Sequence, residues 1–202
     1  MKVKILFLIF MTTLYSCQTT QTKIVDDQPN IVPIPKNVTL DSRKRGLVLT
    51  NSILFSISSP EISTLVDVLE KDIESITSMD MNFKETSEAQ ADLVFVLDNS
   101  FEDEEYSIQI GNNIIVNGGS YNALAMAKSS IVQLLKHKKN KLIFPMLEIK
   151  DKPDSEYRGL LIDLARMWHD VPTLKNIIDL ASFYKIKYLQ LHLSDDQSFT
   201  FP

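Results

Sequence analysis

The sequence predicts an α+β domain followed by the first strand–helix–strand unit of a β/α barrel. Three observations carry this. Short β-type runs and two amphipathic helical stretches, expected to pack on one face of a small sheet, share residues 31–150. From residue 155 the pattern changes to one apolar strand, one helix and a second strand, which suits a parallel βαβ unit. Both of those strands end in polar groups: Asp163 and Arg166 after the first, His192, Asp195 and Asp196 after the second. The C-terminal ends of buried parallel strands are where barrel sites are built.

The 202 residues carry a formal net charge of -5 and are 44% hydrophobic, a globular composition. The mildly acidic balance argues against nucleic acid as a partner. Residues 1–16 read as a secretory signal: Lys2 and Lys4 open it, and the apolar run over 5–14 is too short to span a bilayer comfortably. It closes on Leu14-Tyr15-Ser16-Cys17, which resembles a bacterial lipoprotein box. That implies a lipid on Cys17 and anchoring to the bacterial cell envelope; an ordinary signal with an incidental cysteine is the alternative. The single Cys cannot close an internal disulfide. Residues 17–30 are polar and aperiodic, a tether between membrane and domain.

The first domain then reads in order. Ile31-Val32-Pro33-Ile34-Pro35 is an extended entry, because its prolines forbid a helix. Residues 47–50 and 53–57 are short strands. Ser59-Pro60 starts a helix whose apolar face is Ile62, Leu65, Leu69, Ile73 and Ile76. Residues 93–97 form a continuous apolar strand. Tyr106, Ile108 and Ile110 alternate with polar residues, Gly111-Asn112-Asn113 turns the chain, and Ile114-Ile115-Val116 returns as a hairpin. Gly118-Gly119-Ser120 ends it and caps a helix with Leu124, Ala127, Ile131, Leu134 and Leu135 on one face. The basic cluster over 136–141 reads as complementing that helix's C-terminal dipole, and 144–149 as one extended segment.

In the second part, Leu160-Leu161-Ile162 is a strand. Pro172 begins a helix with Leu174, Ile177, Ile178, Ala181 and Tyr184 inward, and 187–193 is the second strand. Leu189, Leu191 and Leu193 point to one face, Tyr188, Gln190 and His192 to the other. The polar face fits the upper interior of a barrel. The chain stops at Pro202, directly after this strand, so the barrel is expected to be incomplete, with apolar faces and strand edges left open.

Tyr157-Arg158-Gly159-Leu160-Leu161-Ile162-Asp163-Leu164-Ala165-Arg166, followed by Leu191-His192-Leu193-Ser194-Asp195-Asp196-Gln197-Ser198-Phe199, resembles glycoside hydrolase family 20, the β-N-acetylhexosaminidases. The preceding domain resembles the non-catalytic domain before the barrel of that family. The resemblance implies a (β/α)8 TIM barrel starting at 155–202 after a non-catalytic domain at 31–150. It also implies substrate-assisted retaining hydrolysis of terminal N-acetylhexosamine from glycans, GlcNAc or GalNAc.

The resemblance further implies that Arg166 binds hydroxyls of the terminal sugar, which suits a planar group with five N–H donors. An ion pair with Asp163 is the competing role for Arg166. Asp163 itself either holds the loop or touches substrate. Asp195 matches a carboxylate that orients a later histidine and so tunes the general acid; capping the following segment is its alternative, and Asp196 faces the same choice. His192 either hydrogen-bonds around the pocket or is a satisfied core histidine. Trp168 is either a sugar-stacking wall or a packed rim residue. Arg158, before its strand, is expected to close the barrel bottom.

Gln190 stands where the family commonly carries His, and Met167 where a His often follows the Arg, which touches subsite detail. The catalytic Asp-Glu pair is expected beyond Gln197, so no nucleophile or acid is assigned and the chain alone is expected to be inactive. Asp103-Glu104 precedes a non-catalytic strand and is no candidate. With three His and one Cys at no ligand spacing, and no phosphate loop, neither metal nor cofactor is expected. A glycan-binding lipoprotein with a degenerate barrel is the alternative function.

Overall fold

The computed structural model describes residues 29–41 and 45–200. The signal segment, Cys17 and the tether up to residue 28 lie outside the described residues. The first domain is built on a mixed sheet in the spatial order β1 (Asn37–Leu40), β10 (Leu147–Asp151), β6 (Tyr106–Ile110), β7 (Ile114–Gly118), β5 (Leu93–Leu97), β3 (Ser52–Ile57) and β4 (Asn82–Glu85). A smaller antiparallel sheet orders β2 (Leu47–Leu49), β9 (Lys141–Phe144) and β8 (Lys136–Lys138).

Period-two alternation makes the large sheet one-sided. The register sets Val38, Ile149, Ile108, Val116, Phe95 and Ile57 side by side, and Leu40, Leu147, Ile110, Ile114, Leu93 and Phe55 in the next row. These rows form the core face. The opposite face carries Asn37, Lys150, Ser107 and Asn117 in one row. Two helices complete the core: α1 (Ser63–Thr77), entered through a 3-10 turn at Pro60–Ile62, and α2 (Tyr121–Leu134). The Ser120 hydroxyl caps α2 by accepting from the Ala123 amide at 3.2 Å. Gly119 is required there, because a Cβ would collide with the Glu102 carbonyl.

Three readings of the sequence need correction. The basic cluster over 136–141 does not close a helix: it is the β8–β9 hairpin, turned at Lys139 with φ 55°. The segment over 144–149 is not one strand. Pro145 and Met146 break it between β9 and β10, which serve different sheets. Ile76 is 47% exposed, and Val66 is buried on α1 instead, because the helix packs one residue round from the expected stripe.

The second part is β11 (Gly159–Asp163), α3 (Val171–Phe183) and β12 (Tyr188–His192). The two strands pair in parallel, with Leu160 opposite Leu189 and Asp163 opposite His192. This is the βαβ unit expected from sequence. Leu161, Leu191 and Ile178 remain exposed.

The unit docks on the first domain through its lower end. Helix α3 stops in a Schellman turn: the Ile186 amide donates to the Ala181 carbonyl and the Lys185 amide to the Ser182 carbonyl. Side chains of α2 satisfy further carbonyls at this end. The Ser129 hydroxyl donates to the Ser182 carbonyl at 2.8 Å, and the Gln133 amide to the Phe183 carbonyl at 2.8 Å. Lys185 occupies the left-handed position of this turn at φ 59°, where glycine is favoured and other residues cost about 1–2 kcal/mol.

Arg158, just before β11, joins both parts. Its guanidinium forks onto Glu104 at 3.0 and 3.1 Å, and its carbonyl accepts from the Lys187 and Tyr188 amides. Lys187 adds a second ion pair to Glu104 at 2.9 Å. Arg158 therefore sits at the N-terminal end of β11 and bonds outward to the first domain. The Arg158 hydrogen bonds, joined by Lys187 and opposed by burial, hold the Glu104 pKa down to about 2.

That depression fixes the sign of a pH effect. The stability it contributes is complete above the ordinary carboxylate value of about 4.3 and is lost as pH falls through about 2. Glu104→Gln should therefore be less stable than the parent at pH 7, with the difference narrowing as pH falls from about 4 to about 2. Denaturant titrations across that range, with the separation unchanged by pH, would count against the ion pair.

Candidate active site

The polar residues singled out in the sequence gather at the C-terminal ends of β11 and β12. Their gathering follows from the register: Asp163 and His192 are paired residues of adjacent parallel strands, so the two loops beyond them start side by side. The first loop is then folded over the second strand. The Leu164 and Ala165 amides both donate to the His192 carbonyl, at 2.9 and 3.0 Å. Leu164 and Ala165 are buried, which leaves Arg166 at the surface of the turn.

The Arg166 Nε donates to the Asp195 carboxylate at 3.1 Å, while Asp163 lies at 3.8 Å. Asp163 also accepts from the Arg166 backbone amide at 3.1 Å, so it both pairs with Arg166 and shapes the turn. The sequence offers Asp163 as an ion-pair partner of Arg166, which the structure keeps at 3.8 Å, but not Asp195, which lies nearer. The signal was present in the predicted βαβ unit, since adjacent parallel strands bring their outgoing loops together.

Asp195 is the anchor of the second loop. Its other oxygen accepts from the Gln197 and Ser198 amides at 2.8 and 2.9 Å, and its own amide donates to the Ser198 carbonyl. A bridge between Ser194 and Phe199 closes this small turn. Capping of the following segment, weighed in the sequence as an alternative for Asp195, is thus present alongside the bond to Arg166. The Asp195 side chain is 11% exposed and Arg166 is 71% exposed. The backbone amide of Gln197 and then Arg166 pull the Asp195 carboxyl below its ordinary value. The guanidinium is stabilised in return, chiefly by its hydrogen bond to Asp195.

Arg166 is therefore a fixed, ionised donor with only Nε engaged among the described residues. Its Nη groups are available to a ligand, and their planar geometry suits paired hydroxyls. His192 is half-buried and works through its carbonyl; its ring makes no hydrogen bond among the described residues. Asp196, Met167 and Trp168 are exposed. Among the described residues no three His, Cys, Asp or Glu side chains converge as a metal site requires.

The carboxyl of Asp195 should titrate below the ordinary carboxylate range when followed by NMR. Arg166→Ala should move it upward only part of the way, because the two backbone donors remain. An unperturbed Asp195 in the parent protein would be incompatible with this geometry.

Comparison with known proteins supplies the family context. The model of glycosyl hydrolase family 20, domain 2, matches residues 28–152, and that of the family's catalytic domain matches residues 155–202. The β-hexosaminidase B of Pseudoalteromonas piscicida is 30% identical over 176 residues, 86% of this chain and 21% of that protein. The exo-β-N-acetylglucosaminidase of Vibrio harveyi, solved in complex with N-acetylglucosamine, superposes with a TM-score of 0.77 at 22% identity, covering 86% of this chain and 26% of that one. The chitobiase of Flavobacterium johnsoniae gives 0.70 at 25% identity, with 86% and 28% covered. The chain spans about a fifth of the length of the curated relatives it matches.

Proposed function

The chain belongs to glycosyl hydrolase family 20, and from that premise we propose that its protein is a β-N-acetylhexosaminidase. It removes terminal, non-reducing N-acetylhexosamine from glycans, with GlcNAc or GalNAc as the sugar. The observation that carries this reading is the Arg166–Asp195 pair at the ends of two parallel strands, with donors of Arg166 left for a ligand.

In this reading Arg166 grips the hydroxyls of the terminal sugar. Asp195 keeps the guanidinium in place and forms part of the pocket wall that tunes the general acid, with His192 beside it. Trp168 offers an aromatic face to the sugar ring, and Asp163 and Asp196 shape and border the turn. The substrate's own acetamido oxygen attacks the anomeric carbon as the leaving oxygen takes a proton from an acid. Water then opens the cyclic intermediate and restores the original configuration. The carboxylates that act on the reacting bonds are assigned to no residue of this chain.

The test is hydrolysis of 4-nitrophenyl N-acetyl-β-glucosaminide by the full-length protein. Release of nitrophenol with the β-anomer of the sugar appearing first is expected. Arg166→Ala should lower kcat/KM by about 10- to 100-fold, the equivalent of one charged hydrogen bond of roughly 1.5–3 kcal/mol. Sugar binding by the full-length protein without any turnover would instead favour a glycan-binding role.

Export and lipid anchoring through Cys17 belong to the same proposal and rest on the sequence of residues 1–17. Cells fed an alkyne fatty acid should label the parent protein and not Cys17→Ser, which should also leave the membrane fraction. Equal labelling of both would end the anchoring claim.

A further inference from the structure

We infer that Lys185, Arg158 and Glu104 are positioning residues, a buried ionic latch by which the first domain sets where the Arg166–Asp195 pair stands. The inference rests on reading that pair as the sugar-binding site. The latch sits at the opposite ends of the same two strands. It has two halves. Glu104 receives the fork of Arg158 and the ammonium of Lys187. Beside it, Lys185 donates to the Tyr106 hydroxyl at 2.9 Å, and that hydroxyl donates to Asp151 at 2.7 Å and lies 3.1 Å from the Ser130 hydroxyl. Asp151 is also 3.7 Å from the Lys185 ammonium.

Three observations point from contact to function. Every cation of the latch comes from the barrel unit, and both carboxylates come from the first domain, so the pairs tie two bodies and stabilise neither alone. The side chains are largely buried: Lys185 is 5% exposed, Glu104 10%, Asp151 12% and Arg158 16%, with Lys187 at the edge at 26%. Buried ion pairs are poor devices for stability alone, and their best-attested use is to fix a register. Finally, Lys185 holds a left-handed turn position that glycine would occupy more easily. Its side chain is kept there against the preference of its backbone.

The route from latch to site is the strand pair itself. The Arg158 carbonyl holds the start of β12 through the Lys187 and Tyr188 amides, and the fifth pair of the register is Asp163 and His192. A shift or tilt at the lower end is therefore carried to the loops that bear Arg166 and Asp195.

Lys185→Gly gives a test with opposite signs. If Lys185 is only a turn residue, glycine relaxes the turn, and amide exchange in 159–163 and 188–192 slows or stays the same. If it is part of the latch, exchange in those two segments rises at least tenfold, while peptides over 106–118 are unchanged. In the full-length protein KM for the nitrophenyl substrate should rise about tenfold, because Arg166 grips the sugar, with a smaller fall in kcat because Asp195 moves with it. Glu104→Gln should show the same pattern, and Lys187→Met a weaker one.

Unchanged exchange in both main variants overturns the latch. Raised exchange with unchanged KM in an active protein overturns its positioning role. Raised exchange in a protein whose parent binds and hydrolyses no hexosaminide upholds the latch and overturns the functional reading on which positioning rests.

Discussion

The lower ends of β11 and β12 meet at one guanidinium. Arg158 uses its side chain to hold Glu104 of the first domain and the Lys185 carbonyl at the end of α3. Its main chain receives the start of β12. Removing Glu104 would leave a charged group with its fork unfilled in a largely buried junction, which is far costlier than never having placed it there. The turn after α3, the start of β12 and the first domain all bond to this one residue. Arginine suits the position because a lysine ammonium could not fork onto a carboxylate and reach a carbonyl in fixed directions.

The fold was legible where a single periodicity decided the element. The hairpin of β6 and β7 and the cap at Ser120 follow from alternation, turn chemistry or capping, which are local. Short polar strands were not legible. β4 and β8 carry almost no apolar alternation, and they exist because a neighbouring strand offers its edge. Lys136, His137 and Lys138 illustrate this: their charge suggested a helix end, and pairing with β9 made them a strand.

The candidate site was legible in its membership and illegible in its pairing. Arg166, Asp195, His192 and Asp163 stand out because charged residues at the ends of apolar runs need a reason. The βαβ unit brings both loops together, but which carboxylate lies nearer the guanidinium depends on how they fold over one carbonyl, that of His192. The junction was harder still. Glu104 read as a carboxylate before a non-catalytic strand, and its partners lie 54 residues away at Arg158. Lys185 carried one faint sign, a basic residue where a helix stop commonly takes glycine.

The position of β10 has a consequence for how the chain assembles. It lies between β1 and β6, so the first strand of the domain finds its neighbour only when residue 147 and those after it arrive. Asn37 pairs with Lys150, 113 residues away. Closing a loop of that size early is entropically unfavourable, and topologies dominated by such contacts fold slowly. On a ribosome, the opening strand would wait with its apolar side chains uncovered until almost the whole domain had emerged. The strand that releases it ends at Asp151, which also receives the barrel unit. Completion of the first domain and readiness to accept the second are thus one event in time.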